Sequence, residues 1–193
     1  MDIYDDSMWL IDLVENLLSV TRIEEGRMQI RQSAELVDEV IREALKHTGQ
    51  SRTGRTIKVE EEDELILAKM DARLIVQVLI NLIGNAVKYT PQGTDITVRV
   101  KKEKAENGEN SQVIISVCDL GDGIPDDRKE RVFDMFYTGS DQVADSRRSL
   151  GLGLGLCRSI INAHGGKIWI SDNIPHGAVV TFTLPAEEVA LNE

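Results

Sequence analysis

Aromatic residues and cysteines are scarce in this chain of 193 residues. Aromatic side chains account for 4% of the residues, and the cysteines are limited to Cys118 and Cys157. Two cysteines at this spacing match no zinc-binding motif. Both lie in apolar stretches, so we expect two reduced, buried thiols, as is usual for a protein of the cytosol.

Long apolar runs and a surplus of positive charge are also missing. No stretch approaches the roughly 18 apolar residues of a membrane span, and no signal peptide opens the chain. The chain has 33 acidic and 22 basic residues and a net charge of −11, which argues against nucleic acid or an anionic membrane as the main partner. A nucleotide stays compatible with this charge, because a bound cation can outweigh it locally.

Helical and strand patterns alternate along the chain. Helices are predicted for residues 8–30, 35–48 and 72–90, with Asp71 as the N-cap of the third, and for the residues between the glycines near 155 and the stop signal "HGG". Strands are predicted in "TIKVEEEDELILAKMD" (two, with an acidic turn), "ITVRVKKEK", "QVIISVCDL", "KIWISD" and "AVVTFTLP". This order predicts an α+β fold, one sheet with helices on one face. The apolar stripe of residues 8–30 requires a partner, either its own domain or a second copy.

The stretch "SRRSLGLGLGLCRSI" places Gly151, Gly153 and Gly155 at the start of a helix. Glycine costs about 1 kcal/mol relative to alanine in regular structure, so the spacing suggests that something approaches the backbone closely. The free N–H groups at a helix N-terminus favour phosphate. The stretch is neither a Walker A loop nor a dinucleotide fingerprint, and a flexible turn before an ordinary helix is the alternative.

Asn81, Asn85 and Lys88 form a polar stripe on the otherwise apolar helix 72–90. Asparagine is a poor residue for a helix interior, by about 0.7 kcal/mol. Its amide oxygen is a hard, neutral ligand that suits Mg²⁺ already bridged by phosphate oxygens. The alternative is a face that simply contacts water.

The segment "CDLGDGIP" follows an apolar strand and begins with Asp119 after the cysteine. A partly buried carboxylate needs a hydrogen-bond donor, such as an adenine amino group. Gly121 and Gly123 allow a tight turn and the close approach of a flat base. A plain Asp-Gly turn is the alternative, whereas the acidic spacing of a calcium loop is missing. In the next cluster, "RVFDMFYTG", Phe133 and Phe136 are expected in the core.

Together, the motifs "NLIGNAVKYTP", "DLGDGIP", "FDMFY" and "GLGLGL" stand in the order of the four boxes of bacterial sensor histidine kinases. The chain resembles this family from about residue 8 to residue 185, and "LVENLLSVTRIEEG" is similar to the second helix of its dimerisation domain. "INLIGNAVKY" and "GLGLGLCRSIINAHGG" further resemble the potassium-responsive Kdp type. The resemblance implies a two-layer α/β sandwich of the Bergerat type, preceded by a helix from a dimerisation hairpin.

The resemblance also implies an ATP site. Asn85 would coordinate Mg²⁺ with support from Asn81, Lys88 would reach a phosphate, and Asp119 would accept a hydrogen bond from the adenine amino group. Residues 138–150 would form a lid over the nucleotide. The implied ATP-binding residues are Asn81, Asn85, Lys88, Tyr89, Asp119, Gly121, Gly123, Ile124, Tyr137, Arg147, Arg148, Gly151, Leu152, Gly153, Leu154, Gly155 and Leu156.

These kinases phosphorylate a histidine of their own, on the first dimerisation helix. The histidines present here, His47, His164 and His176, are expected at a helix end, at a Gly-Gly stop and in a turn, and none has the acceptor setting. We therefore expect a fragment that binds Mg-ATP without phosphorylating itself. Residues 1–30 would be half of a dimerisation hairpin, 31–187 the catalytic domain and 188–193 a disordered tail.

The resemblance implies a homodimer, a response regulator as partner and a cytoplasmic location on an inner-membrane protein. Three alternatives share the pocket or part of its function. An ATP-hydrolysing clamp would carry a glutamate where this chain has Asn81, and an amide cannot act as a general base. A serine-kinase anti-sigma factor would not explain the N-terminal apolar stripe. A nucleotide-binding module without catalysis is the third.

Overall fold

The computed structural model describes residues 30–48, 56–62, 65–104, 111–135, 137 and 153–187. It also describes Val14, Leu18 and Thr21, which are helical. The rest of the predicted N-terminal helix, the predicted lid at 138–150 and the predicted tail at 188–193 lie outside the described residues.

Seven strands and four helices form the described part of the chain. The strands are β1 (Ser33–Leu36), β2 (Ile57–Glu61), β3 (Leu67–Met70), β4 (Ile96–Lys104), β5 (Ser111–Cys118), β6 (Ile168–Asp172) and β7 (Ala178–Glu187). The helices are α1 (Val37–His47), α2 (Ala72–Tyr89), α3 (Asp126–Lys129) and α4 (Gly153–Ala163), and a 3₁₀ turn covers Arg131–Phe133. Among these helices, none combines the length and the hydropathy that a transmembrane span requires.

One mixed sheet orders the strands β1-β3-β7-β5-β4-β2, with β6 also paired to β7. Strands β2 and β4 are parallel, and every other pair is antiparallel. In the centre, Ile115 of β5 lies opposite Phe182 of β7. Strand β7 is therefore central to the sheet, because it pairs with β5 along one edge and with β6 and β3 along the other.

The hydrophobic core lies between one face of the sheet and helices α1, α2 and α4. Alternate strand residues such as Val98, Ile115 and Phe182 point into it, because successive side chains of a strand face opposite sides. Helix α2 contributes a broad apolar face that includes Val78 and Leu82, both fully buried. The predicted α+β, two-layer architecture is confirmed.

The structure corrects one local prediction and adds detail to two others. Residues 35 and 36 belong to strand β1 rather than to a helix, because β1 pairs with β3 and α1 begins at Val37. The two strands around the acidic turn do not pair with each other: β2 pairs with β4, and β3 with β1 and β7. Asp71 stands at the N-cap of α2, but its carboxylate makes no capping bond and instead accepts the Arg31 N–H at 3.2 Å.

His164 ends helix α4 and links it to helix α2, and its imidazole is buried. Its Nδ1 donates to the Ile160 carbonyl at 2.7 Å, which confirms the predicted role in capping this helix. Its Nε2 accepts the backbone N–H of Asp71 at 3.0 Å. The ring is thus the neutral tautomer protonated on Nδ1, and it satisfies two backbone groups of different helices.

Candidate functional site

Three segments of the chain that carry the predicted motifs meet at one place in the fold. Helix α4 begins beside α2, where a Cβ built on Gly153 would lie 3.8 Å from Cγ of Asn81. The loop after β5 meets the end of α2, where a Cβ built on Gly121 would lie 2.6 Å from the carbonyl oxygen of Tyr89. The polar edge of α2, formed by Asn81, Asn85 and Lys88, is therefore flanked by two segments. The glycine-rich start of α4 lies near one end of it, and the loop 119–123, here called the aspartate loop, lies near the other.

The polar edge of α2 carries a buried amide group that lacks a protein partner. Nδ2 of Asn81 makes no hydrogen bond with any described residue, although it is buried. The Cys157 thiol is close enough to interact with the Asn81 side chain, but sulfur is a weak acceptor. A buried donor without a good acceptor is costly, by about 1–3 kcal/mol. A ligand oxygen or an ordered water at this position would remove that cost.

The remaining residues of the polar edge are more open. Asn85 is half-buried, one turn after Asn81. Lys88 and Tyr89 are exposed at the end of the helix, where Nζ of Lys88 donates to the Tyr89 hydroxyl at 3.1 Å and lies 4.8 Å from the ring centroid. The edge therefore runs from a buried amide at Asn81 to an exposed cation at Lys88. A polar, negatively charged ligand could bind along it, with hydrogen bonds at the buried end and the lysine charge at the exposed end.

Asp119 uses its two carboxylate oxygens differently. Oδ1 accepts the backbone N–H of Gly121 at 2.8 Å and that of Ala178 at 3.1 Å. Among the described residues, no donor reaches Oδ2. The two amide bonds fix the orientation of the carboxylate, and Oδ2 retains its capacity to accept a hydrogen bond from a ligand.

Two of the glycines in this loop are required by their surroundings. A side chain on Gly121 would clash with the Tyr89 carbonyl, as described above, and would come within 3.1 Å of Oδ1 of Asp119. Gly123 adopts φ +76°, a conformation that favours glycine, and a Cβ there would lie 3.1 Å from the Gly177 carbonyl oxygen. The loop therefore packs tightly against the end of α2 and against the turn before β7.

The glycine-rich start of α4 also makes close contacts within the protein. A Cβ on Gly155 would lie 3.1 Å from the Phe133 carbonyl oxygen and 3.3 Å from Cγ of Met135. Leu156 is fully buried, and Leu154 packs partly against the core, so the two described leucines of this stretch point inward. The close approach recorded at Gly155 is thus to the segment after α3. Contact between this glycine and phosphate stays a prediction.

Other predicted site residues lie beside the site or outside the description. Ile124 packs in a small cluster with Phe133 and Ile170, and the predicted burial of Phe133 is confirmed. The Tyr137 ring lies 4.9 Å from the guanidinium of Arg131. The remaining predicted residues lie outside the described part of the chain: Phe136, Arg147, Arg148, Gly151 and Leu152.

The turn between β6 and β7 forms hydrogen bonds with Asp119 and Gly121, and its residues are not among those predicted for the site from the sequence. Asn173 Nδ2 donates to the Asp119 carbonyl at 2.7 Å, and His176 Nδ1 donates to the Gly121 carbonyl at 3.1 Å. Sequence alone offers a weak signal, the turn residues "DNIPHG". Their proximity to residue 119 follows from the pairing of β5 with β7, in which Cys118 lies opposite Val179.

The two thiols are free and buried, as predicted. Burial raises the pKa of Cys157 to about 12, and the neighbouring Asn81 side chain opposes this effect only in part. Burial also raises the pKa of Cys118, against the opposing charge of Arg99. Both groups are therefore neutral thiols at pH 7, and neither has the low pKa of a reactive cysteine.

A divalent cation at this site would need ligand oxygens beyond those that the described residues supply. No group of three His, Cys, Asp or Glu side chains in the described ranges is arranged to hold a metal ion. The amide oxygen of Asn85 is a hard ligand on the polar edge, and a phosphorylated ligand supplies further oxygens. The Asn85 amide oxygen and phosphate oxygens together would suit Mg²⁺ that binds as a complex with phosphate. They do not resemble a metal site built entirely from protein side chains.

Comparison with known proteins identifies a matching family and similar curated proteins. Residues 70–188 match the family described as histidine kinase-, DNA gyrase B-, and HSP90-like ATPase. Sensor protein KdpD of Clostridium acetobutylicum is 41% identical over 185 residues, which are 96% of this chain and 20% of that protein. This chain thus spans one fifth of the length of that curated relative.

Solved structures extend the likeness to three dimensions. The catalytic domain of the histidine kinase ThkA is 31% identical with a TM-score of 0.66, and the match covers 80% of this chain and 95% of that chain. ThkA in complex with the response regulator protein TrrA gives 28% identity and a TM-score of 0.69, over 92% of this chain and 49% of that chain. These matches confirm the predicted resemblance to sensor histidine kinases.

Proposed function

The chain belongs to the family of histidine kinase-, DNA gyrase B- and HSP90-like ATPases, and from that premise we propose that it carries the ATP-binding catalytic region of a sensor histidine kinase. The substrate is Mg-ATP, whose γ-phosphate passes to a histidine other than His47, His164 and His176. In a sensor kinase the phosphoryl group then passes to an aspartate of a response regulator. The geometry around Asp119 and α2 supports this proposal.

One observation carries the proposal, namely the asymmetric bonding of the Asp119 carboxylate. Two backbone amides hold Oδ1, so the side chain cannot rotate freely, and Oδ2 is left to accept one more hydrogen bond. The exocyclic amino group of adenine is a donor at the position where guanine carries an acceptor oxygen. A fixed carboxylate oxygen that can accept a hydrogen bond would therefore favour adenine over guanine.

The polar edge of α2 would receive the phosphates and their cation. The buried Nδ2 of Asn81 can donate to a phosphate oxygen, and the amide oxygen of Asn85 can ligate Mg²⁺. Mg²⁺, when bound, neutralises the negative charge that develops on the transferred phosphoryl group. Lys88 adds a cation at the exposed end of the edge, and the N-terminus of α4 adds backbone N–H groups.

The catalytic work of this domain is positioning. Phosphoryl transfer needs the attacking imidazole nitrogen and the leaving oxygen in line, with little covalent chemistry from the protein. Asp119 would hold the base while Asn81, Asn85 and the start of α4 hold the phosphates. Asn81 provides no carboxylate to activate water, which favours transfer to a presented side chain over hydrolysis. This distinguishes the proposal from an ATP-hydrolysing clamp.

The wider assignments follow from the same relatives. KdpD, the sensor protein that is 41% identical, supports a Kdp-type kinase that responds to potassium, and the ThkA–TrrA complex supports a response regulator as partner. We assign residues 31–187 to the catalytic domain and residues 1–30 to a helix that pairs in a homodimer. Residues 138–150 would form a lid, with Arg147 and Arg148 as phosphate ligands. The whole region would lie on the cytoplasmic side of a membrane protein.

The proposal is tested by offering the chain a separate acceptor. A helical hairpin that carries the histidine and its acidic neighbour is mixed with the chain and radiolabelled Mg-ATP. Label on the hairpin, but on none of the three histidines of this chain, is the expected result. Tight binding of Mg-ATP without transfer would indicate a binding module, and release of phosphate without any labelled protein would indicate a hydrolytic clamp.

A further inference from the structure

The turn that joins β6 to β7, residues 173–177, packs against the loop that carries Asp119. Asp119 bonds to this region through its backbone as well as its side chain. Its N–H donates to the Ala178 carbonyl at 2.9 Å, and its carbonyl accepts from Asn173 Nδ2 at 2.7 Å. With Oδ1 on the Ala178 N–H, three of the polar groups of Asp119 are fixed by residues 173–178.

Asn173 is held in place by its own bonds. Its backbone N–H donates to the Gly177 carbonyl at 3.0 Å, and its Oδ1 accepts the N–H of Ile174 at 3.0 Å. The side chain therefore bonds to the next backbone N–H of the turn with its oxygen and to the Asp119 carbonyl with its nitrogen. An aspartate here would keep the turn but would replace the donor with an oxygen that faces the Asp119 carbonyl oxygen.

His176 and Gly177 complete the contact. His176 donates from Nδ1 to the Gly121 carbonyl, which lies two residues beyond Asp119. A Cβ on Gly177 would lie 2.0 Å from the Asp119 carbonyl oxygen, so the two backbones are packed as closely as they can be. The turn thus contacts the aspartate loop at both ends and leaves little room for it to shift.

We propose that Asn173 and His176 are positioning residues for base recognition, because they hold the loop that aims Oδ2 of Asp119. This inference rests on the proposed function and deepens it: the selectivity for adenine depends on a turn that need not touch the nucleotide. Asn173 acts through Asp119, and the phosphate end of the site, on α2 and α4, does not depend on it.

The test compares Asn173→Asp with the parent chain and with the control Asn162→Asp, which changes an exposed asparagine near the end of α4 by the same atoms. Titration calorimetry measures the affinities for Mg-ATP, Mg-GTP and Mg-tripolyphosphate. We expect Asn173→Asp to bind Mg-ATP about tenfold more weakly, with affinities for Mg-GTP and tripolyphosphate within about twofold of the parent. The control should bind all three as the parent does.

A double-mutant cycle separates positioning from a general effect on the fold. In the background Asp119→Ala, Asn173→Asp should weaken Mg-ATP binding no further. An equal further loss there, an equal loss for all three ligands, or unchanged selectivity in the single variant would overturn the inference. A parent chain that binds Mg-GTP as well as Mg-ATP would instead overturn the proposed function, so the two failures are distinguishable.

A second variant protects the test against misfolding. If Asn173→Asp lowers the melting temperature by more than about 10 °C, His176→Ala replaces it, since this variant removes one bond to the Gly121 carbonyl and leaves both side-chain bonds of Asn173 in place. It should lose part of the preference for Mg-ATP over Mg-GTP at parental affinity for tripolyphosphate. Full retention of that preference would contradict the role of the turn.

Discussion

Gly177→Ala is a substitution for which the structure predicts a large local effect. A Cβ at this position would lie 2.0 Å from the Asp119 carbonyl oxygen, whereas real Cβ contacts stay above 3.0 Å, so one of the two segments must move by about 1 Å. The residue also has φ +113°, which side chains rarely adopt. Crowding costs about 1–3 kcal/mol and the unusual backbone about 1–3 kcal/mol.

A smaller term acts in the opposite direction. Alanine restricts the unfolded chain and thereby returns about 0.4–1 kcal/mol. The net expectation is a loss of about 3 kcal/mol in the free energy of unfolding. For a chain of this size, that lowers the melting temperature by about 6–12 °C. Thermal unfolding followed by circular dichroism measures the shift directly.

Two further glycines serve as matched controls. Gly93 has φ +85° but open space around it, so Gly93→Ala tests the backbone term alone and should cost about 1 kcal/mol. Gly84 is exposed within α2 with nothing near its Cβ position, so Gly84→Ala should stabilise the protein by about 1 kcal/mol. A Gly177→Ala variant no less stable than Gly93→Ala would refute the close packing described here.

Three other predictions follow from single groups. Asn85→Ala should lose the Mg²⁺ dependence of ATP binding, measured by calorimetry with and without EDTA, and undiminished Mg²⁺ dependence would exclude Asn85 as a ligand. His164→Ala leaves two backbone groups unsatisfied and should cost about 3 kcal/mol in chemical denaturation; the exposed His47→Ala is the control and should cost under about 0.5 kcal/mol. A disulfide reagent at pH 8 should modify neither Cys118 nor Cys157 in the native chain and both in urea; rapid native labelling would contradict their burial.

The raised pKa of Cys157 also sets a pH dependence. Its pKa is about 12 in the folded chain against an ordinary value of 9.0, so the folded state favours the neutral thiol. The resulting stability is complete below pH 9 and is lost as the pH rises from 9 towards 12. Denaturation at pH 8 and pH 10.5 should show a smaller loss for Cys157→Ala than for the parent, and equal losses would contradict this assignment.

Much of the fold could be predicted from the sequence because the periodic segments are long and strongly patterned. Helix α2 and strands β4, β5 and β7 were recognised by apolar spacing alone. Strand β1 was missed because its four residues carry little hydrophobic pattern, and pairing with β3 determines its conformation. The separation of β2 from β3 could not be predicted, since the sequence specifies strands more directly than their partners.

The candidate site could be predicted in its motifs but not in its supporting contacts. Asn81, Asp119 and Gly153 stood out because polar or flexible residues are unusual in their local patterns. Asn173 and His176 lie in an ordinary turn, and their approach to Asp119 depends on the pairing of β5 with β7. Asp71 shows the same limit, because its carboxylate makes no capping bond to the helix that follows and instead accepts the N–H of Arg31, forty residues away.

The most direct test of the central claim is a titration of the isotope-labelled chain with Mg-ATP, observed through backbone amide resonances. We expect saturable shifts in residues 81–89, 119–123 and 153–157, with smaller shifts from Mg-GTP around Asp119. Mg-ATP that leaves these three segments unchanged, or shifts a different part of the chain, would contradict a nucleotide site between α2, α4 and the aspartate loop.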